Sequence, residues 1–370
     1  MLMRITLIVL FVFHAFSVSA VEYRVPAEPG KAQALIDSGK LVGGDQLVLA
    51  PGRHGRIIID RIKFDQPVLV TGAKDAPPEV DQLIVNDSSG WRFEGLTIEP
   101  GAEGDANVAL VQIRRGKDIQ LDRLIVLSSP DSSNWTARDW RDEAHNGIEV
   151  SGEDIRITNS SIRNVRHGIA STANGAWIEG NSIELFSGDG IRGLGDHSSY
   201  IGNTIETCVK VDDNHDDGFQ SWSRNALGLP GKGAVRNVRL ENNVIRNGNH
   251  PFKCHLQGIG LFDGFYEDWI IRGNTVFVDH WHGITVMGAR RVSILDNTVV
   301  DSRSGKPGAP WIAITSHKDG QRSEDSTIQG NIMQPWSGTA GSPFRQPQPG
   351  VTFQDNRIVT APEEAISAQP

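Results

Sequence analysis

The sequence predicts an all-β solenoid, a single-stranded right-handed parallel β-helix of about ten coils with an N-terminal cap, because each turn carries the same short phrases. The first phrase reads aliphatic, any residue, then Gly, Asp or Glu, then Asn, any residue, aliphatic. Ile178-Glu179-Gly180-Asn181-Ser182-Ile183 is one copy, and others centre on Asn203, Asn243, Asn274, Asn297, Asn331 and Asn356. The second phrase reads polar, Gly, aliphatic, any residue, small or aliphatic. Its copies begin at Asn146, His167, Asp189, Asp217, Gln257 and His282. Together they give at least three short strands per turn of roughly 22 residues, one before the Asn, one after it and one after the Gly, with longer turns carrying inserted loops. Alternation sends Ile148, Ile169, Ile191, Phe219, Ile259 and Ile284 inward and their following neighbours outward. Asparagines stacked at one corner can bond coil to coil, which offsets the cost of burying them.

The elements follow in order. Residues 1–20 read as a secretory signal peptide: Arg4, a compact apolar run from Ile5 to Phe13, and a small-residue cleavage site ending at Ala20. The apolar run is too short to span a bilayer. Residues 21–64 read as a cap and lead-in, with a short amphipathic helix over Lys31 to Ser38 and a strand from Asp45 ending in a turn at Gly52; a solenoid needs such a unit to protect its open end. Residues 65–360 read as the β-helix, with Leu96, Leu124 and Ser160 where Asn later stands. Gln334 to Pro349 reads as a loop before a last strand near Thr352 to Ile358, and 361–370 as a frayed tail.

Formal net charge is −9. That argues against nucleic acid as partner, since phosphate binding calls for clustered Lys and Arg. No later stretch is apolar for long enough to cross a membrane, so the expectation is an exported chain, secreted or periplasmic. The only two cysteines, Cys208 and Cys254, have no metal-site spacing; export would permit a disulfide, and the sequence leaves their bridging open.

With both phrases in place, the chain over about residues 65–360 resembles the pectate-lyase-like superfamily of right-handed β-helices. The repeat speaks to fold rather than chemistry. Chemistry is expected where loops accumulate: 127–145, 206–216, 246–256 and 300–310 precede the Gly strand and 222–236 follows it, so they should wall a groove over that sheet. The residue before each Gly forms the candidate column, and Glu149, Arg192, Gln220 and Thr285 add outward neighbours. The densest stretch, Lys210 to Asp217, holds four carboxylates, a His and a Lys within eight residues. Two carboxylates on one rigid strand can divide the roles of acid and base.

The column also resembles the polygalacturonase family of glycoside hydrolases, in which an Asp precedes one Gly strand, an Asp-Asp pair starts the next and a His-Gly follows. The resemblance implies catalytic roles for Asp189, Asp216, Asp217 and His282. The chain departs from it in two ways: the His-Gly comes two coils after the pair, with Gln257 between, and the Arg-Ile-Lys phrase is absent. His215 is a further relay candidate. Arg192, Lys210, Gln220, Trp222, Trp281, Trp135 and Trp140 are the substrate-binding candidates, since sugar rings stack on indoles. The expectation is an enzyme cleaving glycan chains by carboxylate acid/base hydrolysis on a polysaccharide or oligosaccharide.

Two alternatives use the same residues. In a uronate-polysaccharide lyase or C5-epimerase, Asp212 and Asp213, with Asp216 and Asp217, would hold Ca²⁺, and Lys210, His215 or His282 would take the C5 proton. A glycan-binding β-helix without catalysis is the other. The bland readings stand beside these: the Asp cluster as a solvated turn, His167 and His282 as structural, His255 and His317 as loop histidines with no placed partner.

Overall fold

The structure, a computed structural model, describes residues 20–72, 76–101, 105, 108–225, 227–302, 309–334 and 349–359. The expected leader ahead of Ala20, the interior of the loop after Gln334 and the tail from 361 lie outside the described residues.

Three parallel faces repeat along the stack. Strands Ile169–Ser171, Ile191–Gly193, Asp217–Trp222, Gln257–Asp263, His282–Met287 and Trp311–Thr315 pair side by side on the face after the Gly. Strands Trp177–Glu179, Ser199–Ile201, Arg239–Glu241, Ile270–Arg272, Ser293–Leu295 and Ser326–Gln329 build the face before the Asn. The third face, after the Asn, is an 11-stranded sheet from Glu79–Val80 to Arg357–Ile358. Early in the chain Val111–Asp122 and Ile148–Thr158 run from the first face onto the second without a break. The inward column is the expected one: Ile148, Ile169, Ile191, Phe219, Ile259 and Ile284 stack in register and are fully buried.

Close approach explains the glycines that open the first face. A Cβ on Gly147, Gly168, Gly190, Gly218 or Gly258 would lie 2.2–3.0 Å from the carbonyl oxygen of the equivalent glycine one coil on, and also against an isoleucine or valine methyl from the core. Any side chain there would push neighbouring coils apart.

The asparagines form a ladder. Each buried amide donates through Nδ2 to the next asparagine's Oδ1: Asn181 to Asn203 at 3.0 Å, Asn203 to Asn243 at 3.0 Å, Asn243 to Asn274, Asn274 to Asn297, Asn297 to Asn331 and Asn331 to Asn356 at 2.9 Å. The same Oδ1 accepts the backbone N–H of the preceding rung, and each Nδ2 also reaches a strand carbonyl, as Asn274 reaches Leu240 at 2.8 Å. Ser160 continues the ladder by donating its N–H to Asn181 Oδ1. The residue before each rung is left-handed, with φ from 50° at Asn159 to 68° at Gly330. Along the asparagine rungs only Gly, Asn and Asp occur there, with Asn242 where the sequence phrase allowed Glu, since short side chains adopt this conformation at least cost; Arg123 takes it too, at 51°, ahead of Leu124.

The ends differ from expectation in detail. The lead-in is already coiled: Glu22–Val25 pairs with Gln46–Leu49, which pairs with Leu69–Gly72. Helix Lys31–Asp37 buries Ala32 and Ile36, and Gln33 clamps it to Ile58 through two backbone bonds of 2.7 and 2.9 Å. The last strand is two, Val351–Gln354 and Arg357–Ile358, broken at left-handed Asp355.

The expected loop 127–145 contains a helix, Ala137–Glu143, started by a Thr136/Asp139 capping box. It buries Trp140 with Ala144 and Val209 in a satellite core, against which Trp135, Leu185, Val211 and Phe252 pack. Trp140 therefore cannot stack on a ligand, and Trp135 sits edge-on to it at 4.9 Å; both serve to glue three loops together. A seven-residue helix with one apolar side chain is too short for its period to show in the sequence.

Candidate active site

Four coils repeat one local contact on the first face. The residue before the Gly bends so that its side chain meets the outward residue three positions on: Asn146 Nδ2 to Glu149 at 2.7 Å, Arg192 Nε to Asp189 at 2.5 Å, Gln220 Nε2 to Asp217 at 2.8 Å, and His282 Nδ1 with Thr285 Oγ1 at 2.9 Å. Where the outward residue is small, as at Ala170 and Gly260, the neighbouring coil uses the space. His167 Nδ1 accepts the N–H of Asp189 at 2.9 Å, and burial with the nearby Arg192 and Arg166 charges drives its pKa down to about 3, so it is a neutral structural acceptor.

Asp189, Asp216 and Asp217 converge. All are buried, and the N–H of Asp217 donates to Asp189 Oδ1 at 3.1 Å. Asp189 has Arg192 as counter-ion, yet burial still pushes its carboxyl up. Asp217 is raised furthest: burial comes first, then the charges of Asp189 and Asp216, and its Oδ1 has no hydrogen-bond partner. Asp216 is pushed up to about 6 by burial and by Asp189, against the pull of Lys210 Nζ at 3.1 Å and Asn214 Nδ2 at 2.7 Å. Burial, with the charges the acids impose on one another, holds Asp216 and Asp217 above the ordinary carboxylate range.

The expected division of labour between Asp216 and Asp217 is corrected here. Asp216 is the last loop residue before strand Asp217–Trp222 and lines an open cavity, while Asp217 opens the strand with no exposed surface and cannot touch a substrate. Asp217 instead fixes Gln220 by accepting from its Nε2.

The cavity, about 420 Å³, lies between two loop walls. The near wall is the loop with Lys210, Asn214, His215 and Asp216; the far wall comes from the next two coils along the same edge of the sheet, with Lys253, His255 and Gln257 and then His280 and Trp281. A disulfide between Cys208 and Cys254, with Cα atoms 5.8 Å apart, ties the walls together, and Lys210 N–H donates to Phe252 O at 2.7 Å beside it. Along the sheet, cavities of about 410 and 340 Å³ continue the groove past Trp222, whose ring lies 5.4 Å under the Arg192 guanidinium. Trp281 is 40 % exposed and lies nearly parallel to Trp311, with centroids 6.3 Å apart. His282 stacks on His280 and abuts Phe262; burial pushes both imidazoles down to about 4, with His215 further lowering His282 and His282 further lowering His280.

The far wall is what sequence reasoning missed. His255 and His317 do have partners: His255 Nδ1 lies 3.2 Å from fully buried Asp279, and His317 Nδ1 lies 2.8 Å from Asp319. The only sequence signal at the far wall was a run of histidines next to Trp281.

Asp212 and Asp213 do not build the calcium site considered for them. Asp212 faces Arg166 at 3.9 Å, and Asp213 is exposed. Among the described residues the one group of ligating side chains close enough to share an ion is Cys208, Asp216 and Cys254, and its two sulfurs are already joined. The sulfurs lie within 4.8 Å of the Asp216 carboxylate and help keep it dry.

Fold and groove define the class: the chain is a right-handed parallel β-helix with a loop-walled groove on one face. Residues 126–304 match the family model described as right handed beta helix region. No curated protein sequence matches the chain. A mannuronic acid specific polysaccharide family 6 lyase from human gut microbiota superposes with a TM-score of 0.53 at 14% identity, over 95% of this chain and 88% of its own. A PL6 alginate lyase in complex with a trisaccharide gives 0.51 at 15% identity, over 92% and 86%. The PL6 alginate lyase AlyGC gives 0.51 at 16%, over 91% of this chain and 51% of its own, so the chain spans about half of that enzyme. Likeness at this identity carries the fold and not the chemistry.

Proposed function

We propose that the protein is a polysaccharide-active enzyme that hydrolyses glycan chains in this groove, with Asp216 as the general acid. The observation that carries this is a buried carboxyl on a cavity wall whose pKa is pushed up to about 6, beside two more buried carboxyls. Burying three acids costs stability, and such clusters persist where chemistry uses them. Protonated Asp216 gives its proton to the glycosidic oxygen as the C–O bond breaks and its electron pair moves to that oxygen; water supplies the new C–O bond. Arg192 on Trp222, Gln220 and Trp281 offer polar and stacking contacts along the chain.

A second reading, β-elimination or C5-epimerisation of a uronate polymer, is favoured by one observation: His280 and His282 are held neutral at about 4 beside cavity lysines 210 and 253. A neutral imidazole can take the C5 proton while the lysines face the sugar acid. The polymers named for the superposable lyases, alginate and mannuronic acid chains, belong in the substrate panel for this reason. The deciding experiment incubates the mature protein with neutral and uronate polysaccharides and reads reducing ends and ultraviolet absorbance together. Reducing ends without absorbance support hydrolysis; absorbance from an unsaturated uronate supports elimination; binding without any turnover supports a glycan-binding protein. We further propose export to the periplasm or beyond, supported by the leader pattern and the disulfide; a native N-terminus at residue 1 instead of near 21 would sink it.

A further inference from the structure

We infer that His255, held from behind by buried Asp279, is the proton acceptor that works with Asp216 in the same cavity; this rests on the proposed hydrolytic reading and adds its missing half. Hydrolysis with one acid needs a base placed to activate water, and Asp217 is too deeply buried to act as one.

Four histidines line or border the cavity, and only one is built as a base. His280 and His282 are largely buried, and imidazoles held near 4 accept protons weakly. His215 is exposed, and among the described residues no carboxylate is bonded behind it. His255 combines both requirements: its side chain is 53 % exposed on the cavity wall, and its Nδ1 lies 3.2 Å from Asp279 Oδ2. Asp279 is itself pinned, with Asn247 Nδ2 at 3.2 Å from its Oδ1 and Lys253 Nζ at 3.8 Å from its Oδ2. A buried carboxylate on Nδ1 selects the tautomer that carries hydrogen there, which leaves the Nε2 lone pair as the acceptor. His317 and Asp319 are the control: that imidazole is buried and its carboxylate faces solvent, so it is not presented to a ligand.

The disulfide completes the device. Cys254 is the residue before His255, and Cys208 opens the loop that carries Lys210 and Asp216, so one bond fixes the two loops side by side. His255 Nε2 takes a proton from water, the water oxygen bonds to the anomeric carbon, the bond to the leaving oxygen breaks, and Asp216 protonates that oxygen. His255 ends charged and Asp216 ionised, and solvent returns the proton from one to the other. A single displacement of this kind inverts the anomeric configuration.

The test compares wild type, H255Q, D279N and D216N on a cleaved glycan. His255→Gln is expected to lower kcat about 10²–10⁴-fold with little change in KM, and imidazole added to H255G should restore part of it. Asp279→Asn leaves the tautomer and orientation of the imidazole unset, so kcat should fall with KM kept, and the double variant H255Q/D279N should lose no more than H255Q alone. The first product anomer should be inverted. Retention of configuration, or H255Q with wild-type kcat while D216N is inactive, overturns the inference and leaves the site reading standing. No turnover by wild type on any glycan, or full activity in D216N, brings down the site reading and this inference with it.

Discussion

Two places in this molecule bury polar side chains in columns, and they treat them oppositely. At the asparagine corner every amide is matched coil after coil. On the groove face, Asp217 Oδ1 and Gln257 Oε1, paired on neighbouring strands, are both buried without a partner. A satisfied column holds the stack together. An unsatisfied one beside a cavity works against the stack, since each unpaired buried oxygen costs stability. Neither column is explained by burial alone; what separates them is whether the donors and acceptors close.

That contrast can be broken in four ways. Asp216→Asn should give the largest effect, a fall in kcat of about 10²–10⁴-fold, with an unchanged far-ultraviolet spectrum and no loss of melting temperature; a comparable loss of fold would make Asp216 a structural residue. Asn274→Ala should do the reverse. It strands donors on Asn243 and the Leu240 carbonyl and takes one of two donors from Asn297 Oδ1, costing about 3 kcal/mol in a denaturant titration while activity per folded molecule is kept.

Asp217→Asn sharpens the comparison through pH. Its folded pKa lies well above the ordinary value, so the stability it contributes is complete below about pH 4 and is lost as pH rises towards the folded value. The variant should match wild type at pH 4 and gain on it by about 1.4 kcal/mol per pH unit above that; a difference flat in pH would show that the carboxylate is charged and compensated. The Asn274→Ala cost should be the same at every pH, since amides do not titrate. Smallest is Lys210→Met. Lys210 holds Asp216 down, so without it the acid stays protonated to higher pH and the basic limb of kcat should move up, by about one unit. A downward shift would mean that another group titrates there.

The fold was legible because its signals are local and repeated. The Asn phrase is short, the left-handed residue before it admits few types, and the Gly phrase records contact with the next coil. The near wall was legible for the same reason, since Lys210 to Asp217 is one continuous stretch. The far wall was not. His255 and Asp279 stand 24 positions apart on different coils, and no phrase links them until the coils stack. Trp140 misled because a tryptophan in a long loop reads as a sugar platform, and nothing nearby announces the helix that buries it. Asp217 was found and then misassigned: alternation gives the direction of a side chain along a strand, but not which loops close over it.

The glycine column has a last consequence. With glycine at the start of each strand the coils keep a fixed pitch of about 4.8 Å, and each coil sets one outward position along the groove, half-buried at Glu149, Ala170, Arg192 and Gln220 and buried at Gly260 and Thr285. The groove is thus a graduated scale on which length and chemistry are separate variables. Adding a whole coil would extend it by one graduation without disturbing the rest, whereas a single methyl on the column would throw every later mark out of step.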